Sequence, residues 1–139
     1  MTYLSCLAAV KRVASAVRPT PIPVRIIAHF TGDRSGSMAS MGSAPASGLY
    51  DWVKEQASGA LNRGQSASIS VTTFDDTVER PMVNVEAKDV KLSIRRCHDW
   101  MSPRGCTRLY DTAIEDLASI RRRGRSYVAN LSTEARELG

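Results

Sequence analysis

Cysteine and histidine are scarce in this 139-residue chain, which has only Cys6, Cys97, Cys106, His29 and His98. Three cysteines are too few, and odd in number, for a disulfide scaffold. With no Cys-x-x-Cys pair and two histidines, a structural zinc site lacks ligands. No apolar run approaches the ~20 residues that span a bilayer. A Gly-x-x-x-x-Gly-Lys-Ser/Thr run is also missing, which disfavours a P-loop nucleotide hydrolase. There is no Gly-x-Ser-x-Gly nucleophile elbow, because Arg34-Ser35-Gly36 has no glycine at the preceding spacing. What remains is ordinary globular composition, 42% hydrophobic and 24% charged. The length fits one domain, or one domain with a tail.

Acidic residues are absent before Asp33. Lys11, Arg12, Arg18 and Arg25 precede it, so most of the net charge of +5 belongs to the N-terminal segment. The rest is close to neutral, which argues against a broadly basic nucleic-acid-binding domain. Arg121, Arg122, Arg123 and Arg125 form a local exception. They read as the solvated C-terminus of a helix, where cations complement the dipole, or as a phosphate-binding patch. Residues 1–17 have the spacing of a short amphipathic helix, ended by Pro19, Pro21 and Pro23. We therefore read 1–23 as a basic extension, either a packing helix or an organelle transit segment. Lys11 and Arg12 follow the apolar stretch, unlike a secretory signal. A cytoplasmic location is expected, with organelle import as the alternative.

Residues 24–139 read as the domain itself. Val24 to Phe30 is a mostly apolar run, suited to a buried strand. Ala46 to Leu61 carries Leu49, Trp52, Val53, Ala57 and Ala60 at helical spacing, and Asn62-Arg63-Gly64 ends it. Ala67 to Phe74 is rich in β-branched residues and predicts a second strand. Asp75-Asp76 predicts a tight turn. Thr77 to Val85 predicts a third strand, with Pro81 marking an edge position. Val90 to Trp100 predicts a helix, broken by Pro103 and Gly105. Leu109 to Arg122 predicts another, with Leu109, Ile114, Leu117 and Ile120 inward. Ser126 to Leu131 predicts a last strand. Strands alternating with helices imply a mostly parallel α/β sheet. Ligands gather at the carboxyl ends of such strands, and the Asp33 loop lies at the first of them.

Asp33-x-Ser35-x-Ser37 places a carboxylate and two hydroxyls at alternate positions. A curled loop converges them on a hard cation. Mg²⁺ wants six oxygens and keeps several waters. Hydroxyls are neutral ligands, so such an ion stays electrophilic towards a further anion. Gly32 and Gly36 are expected to permit the tight backbone path. Asp75 and Asp76 also make a carboxylate pair, but a turn explains them better. Asp111, Glu115 and Asp116 read as a solvated helix face, with Asp111 a candidate neighbour of the metal loop. Cys97 and His98 lack a visible third ligand, and Cys106 reads as a small filler.

Asp33-Arg34-Ser35-Gly36-Ser37-Met38 after an apolar strand resembles the metal-ion-dependent adhesion site of von Willebrand factor type A domains. Gly105-Cys106-Thr107-Arg108-Leu109-Tyr110-Asp111-Thr112-Ala113 is similar to that family's Gly-x-Thr-x-Leu-x-Asp-Ala segment. Ser70 to Asp75 resembles its second strand. The resemblance covers about Val24 to Leu131. It implies a Rossmann-like three-layer α/β/α fold, mostly parallel with an antiparallel edge strand, in strand order about 3-2-1-4. It implies that Asp33, Ser35, Ser37 and Thr107 hold a metal ion, Mg²⁺ or alternatively Mn²⁺ or Ca²⁺. The family's aspartate after the fourth strand is replaced by Thr133, so Glu134 is the nearest carboxylate.

The implied function is a metal-dependent protein-binding module, not an enzyme, that recognises an acidic group of a partner. Met38, Met41, Tyr50, Arg104 and Arg108 are candidate rim residues. The alternatives are a metal-dependent hydrolase using the same loop, or an incomplete domain without a working site. The chain is expected to carry about the N-terminal two-thirds of such a domain. Its fourth strand would then be an open edge, favouring self-association.

Overall fold

The computed structural model describes residues 23–107 and 109–137. The helix expected over residues 1–17, with Pro19 and Pro21, lies outside the described residues. The chain forms a mixed α/β unit around a three-stranded sheet. Strand β1 spans Arg25–Asp33, helix α1 Ala44–Asn62, β2 Ser66–Phe74 and β3 Val78–Glu86. Helix α2 spans Ile94–Trp100 and α3 Leu109–Glu137, and short 3₁₀ turns cover Gly36–Met41 and Ala87–Asp89. The sheet order is β1-β2-β3, with β1 parallel and β3 antiparallel to β2. The parallel crossover runs through α1, and the β2–β3 connection is the Asp75-Asp76 turn predicted from sequence. Helix α2 starts at Ile94 instead of Val90 because Ser93 caps it, its hydroxyl accepting from the Arg96 N–H at 3.3 Å.

One face of the sheet is dry. Ala28, Ile69 and Val71 pack with Leu49, Val53, Ala57 and Ala60 of α1, and Cys97 and Met101 close the cluster. Phe30 meets Trp52 with ring centroids 5.5 Å apart. Cys97 belongs to this core, where burial pushes its thiol up to about 11. It is therefore a thiol rather than a thiolate at neutral pH.

The other face is polar, because successive side chains along a strand point to opposite sides. It presents His29, Ser70 and Thr72 to α3. The Thr31 and Thr72 hydroxyls donate to the Asp116 carboxylate at 2.6 and 3.0 Å. His29 Nε2 lies 2.9 Å from Thr72 Oγ1 and 3.2 Å from Asp116 Oδ2. Arg123 Nη2 lies 2.9 Å from His29 Nδ1, so guanidinium and imidazole share a hydrogen bond. Burial lowers the His29 pKa; Asp116 opposes this, while Arg123 and Arg80 reinforce it. A neutral folded histidine binds a proton less readily than an unfolded one. Its stabilising contribution is thus complete above pH 6.5 and declines below it. The melting temperature should fall from pH 7.5 to pH 5.5, by up to about 1.4 kcal/mol of stability per pH unit. His29→Gln should flatten that fall; an equally steep fall in the variant would refute the assignment.

Two sequence expectations are corrected here. Residues 126–131 continue α3 and form no strand. Thr112, Asp116, Ser119, Arg123 and Tyr127 recur at helical spacing, and Asp116 and Arg123 bond to the sheet while Tyr127 bonds to Pro23, two residues before it. That stripe runs through the segment and keeps it helical. A fourth strand beside β1 is therefore absent among the described residues, and the outer side of β1 is a sheet edge. The inward face of α3 also differs. Thr112 and Asp116 are buried, whereas Leu109, Ile114 and Leu117 are exposed. The arginine cluster consequently lies within α3 and not at its end. None of the helices is long and apolar enough to cross a membrane among the described residues.

Candidate functional site

Asp33 is the last residue of β1, and the chain leaves the sheet there. The Ser35 N–H donates to Asp33 Oδ1 at 2.7 Å, a turn that folds the loop back over the carboxylate. The Ser35 and Ser37 hydroxyl oxygens come within 3.1 Å of each other. Ser35 is buried and Ser37 is exposed. These two contacts join Asp33 to Ser35 and Ser35 to Ser37.

The loop is pinned from two sides. The Arg34 N–H donates to the Phe74 carbonyl at 2.8 Å, at the end of β2. The Gly36 N–H donates to the Gly105 carbonyl at 3.1 Å, and the Arg104 N–H to the Arg34 carbonyl at 2.7 Å. Residues 104–105 therefore run alongside residues 34–36. Thr107 follows two residues later and is exposed, which places it on the segment beside the loop. Of Gly32, Gly36 and Gly105, only Gly105 has the left-handed backbone that favours glycine, while a Cβ on Gly32 would lie 2.8 Å from the Phe30 ring. The φ of Gly105 is +62°, and a Cβ there would lie 2.7 Å from Asp76 Oδ1. Gly32 lies within β1, and Gly36 opens the 3₁₀ turn.

Side chains tie the same segments together. Asp75 is fully buried, and its Oδ1 accepts the N–H and hydroxyl of Thr77, both at 2.8 Å. Its Oδ2 accepts from Arg104 Nε and lies 3.5 Å from Arg34 Nε. Arg34 Nη1 donates to Glu79 at 3.0 Å and to the Trp100 carbonyl at 3.1 Å. Arg104 also pairs with Glu79. Two guanidiniums and two carboxylates thus cancel around the base of the loop. Burial pushes the Asp75 carboxyl up, but its bonds to Thr77 and Arg104 outweigh this and hold it below the usual carboxylate range. Sequence reasoning took Asp75-Asp76 for a turn. The turn is there, but the clamp escaped notice because its partners stand 29 and more residues away.

Glu134 does not join this centre. It lines a cavity with Pro23, Arg25 and Ile27, at the start of β1. Asp33 is eight residues further along that strand, about 26 Å away in extended backbone. Because residues 126–131 are helix, Glu134 stays at the opposite end of the sheet from Asp33. Asp116 does not form a solvated face with Asp111 and Glu115; it is buried in the His29 network. Of the candidate rim, Arg104 is committed to the clamp, and Arg108 lies outside the described residues. No family model, curated protein or solved structure matches the chain. Among the described residues, no group of three or more His, Cys, Asp or Glu side chains could hold a metal ion. The Asp33 centre differs in kind, with one carboxylate and hydroxyl oxygens.

Proposed function

We propose that Asp33, Ser35, Ser37 and Thr107 hold a divalent cation, and that the cation captures an acidic group of a protein partner. What carries the reading is the convergence of the Ser35 and Ser37 hydroxyls beside Asp33, 3.1 Å apart on a pinned loop. The donor set is all hard oxygen, which suits Mg²⁺ first and Mn²⁺ or Ca²⁺ as substitutes. One carboxylate leaves a dication with positive charge to spare, since the neighbouring arginines are neutralised by Asp75 and Glu79. A partner carboxylate supplies the missing charge that Glu134 cannot. The reading includes the adhesion-site resemblance and a Rossmann-like layering, with α1 and α3 contacting opposite faces of the sheet. It also includes pairing of a second copy along the open outer edge of β1.

Asp33 would bind the ion directly or through water, and the hydroxyls would fix its position without neutralising it. Bound ion stabilises the fold by mass action, about 2.7 kcal/mol at a hundredfold excess over Kd. Thermal unfolding in rising Mg²⁺ should therefore show a saturable increase in melting temperature. An unchanged melting temperature up to saturating Mg²⁺ would remove the metal from the account.

A further inference from the structure

We propose that the cavity between α3 and the start of the sheet binds a small molecule carrying a phosphate group on an apolar body. The cavity has a volume of about 630 Å³, within the usual range of small-ligand sites. It lies at the opposite end of β1 from the Asp33 loop and is independent of the metal reading.

Three guanidiniums line it, those of Arg25, Arg122 and Arg123. Arg25 is engaged by Glu86, and its guanidinium carbon lies 5.9 Å from the centre of the Tyr127 ring. Arg123 spends its donors on neutral acceptors. Its Nη1 donates to Ser70 Oγ and Asn84 Oδ1, each at 2.8 Å, and its Nη2 faces His29. Its Nε is buried without a hydrogen-bond partner among the described residues. Arg122 is exposed and makes no ion pair among the described residues. Arg123 is partly offset by the nearby Asp116 carboxylate, so the uncompensated positive charge at the cavity is chiefly that of Arg122. A phosphate offers two oxygens at the spacing that a guanidinium can pair with bidentately.

The fold has built towards this point. Asn84 adopts a left-handed conformation, with φ of 54°, where the β2–β3 register shifts. Its N–H leaves the ladder and donates to Ser70 Oγ at 2.9 Å. The Asn84 side chain at this bulge presents its amide oxygen Oδ1 to Arg123 and holds the guanidinium. Ile27, Leu131 and the Tyr127 ring supply an apolar wall for the ligand's body. The one carboxylate lining the cavity, Glu134, sits about 18 Å from Arg122 along the helix axis. The segment leading into Pro23 has no acidic residue, so it brings no anion of its own to these arginines.

The test is thermal unfolding with phenyl phosphate, inorganic phosphate and sodium chloride at matched ionic strength. EDTA is present throughout, so that the Asp33 loop cannot contribute through a metal. Phenyl phosphate should raise the melting temperature saturably and bind more tightly than inorganic phosphate. Arg122→Glu, on the exposed side of α3, should weaken that binding at least about tenfold. Glu134→Gln should leave it equal or tighten it. The proposal fails if phenyl phosphate gives no shift, if chloride gives the same shift, or if Arg122→Glu binds as the wild type does.

Discussion

Replacing Asp75 by alanine should lower the stability of the fold by about 3 kcal/mol, read from the urea midpoint. The carboxylate is fully buried and holds Arg34, which is itself 4% exposed. Removing it leaves Glu79 as the remaining ion-pair partner of the buried Arg34, and taking one charge out of such a buried cluster costs more than the pair contributes. It also frees the Thr77 end of the turn and the Arg104 segment that runs beside the proposed metal loop. Asp75→Asn keeps an acceptor for Thr77 and should cost less than alanine. Acid should act in the same direction. The folded carboxyl lies below its ordinary value of 3.8, so its contribution is complete at neutral pH and is lost as the pH falls below about 4. The alanine variant should lose part of that acid limb. A loss under about 0.5 kcal/mol would mean that the clamp does not hold the loop.

Asp33→Asn should weaken Mg²⁺ binding at least about a hundredfold while leaving the fold nearly intact. The substitution is isosteric, and the amide oxygen can still accept the Ser35 N–H that closes the turn. What disappears is the negative charge, the only one this donor set contains. Partners one shell out from a metal commonly cost ten- to a hundredfold when removed, and a direct ligand should cost no less. Titration calorimetry of the two proteins measures the ratio. Equal affinities would remove Asp33 from the site.

The chain up to β3 was legible because its patterns are local. The Val24 to Phe30 run, the β-branched stretch before Phe74 and the Leu49–Val53–Ala57–Ala60 spacing each declare one element. The last helix was legible over Leu109 to Arg122 but not in its continuation to Glu137 or in its inward face, and the reason is physical. Its partner is the polar face of the sheet, so its inward stripe is Thr112, Asp116 and Arg123. A search for apolar periodicity selects Leu109, Ile114 and Leu117 instead, which the fold leaves exposed. Ser126 to Leu131 is short and mildly apolar, and reads as a strand until the stripe through Tyr127 is seen. The same error carried Glu134 towards the metal loop. The contacts that link Asp33, Ser35 and Ser37 are local, set within five residues. The clamp of Asp75 with Arg34 and Arg104 was not legible, because only the folded chain brings those charges together.

The most direct test is the affinity of the wild-type chain for a short acidic peptide, measured by fluorescence anisotropy in excess Mg²⁺ and in EDTA. Recognition through a bound cation predicts binding in Mg²⁺ that EDTA abolishes, and no binding when the peptide's aspartates are replaced by asparagine. Equal binding with and without the metal, or none in either, would contradict it.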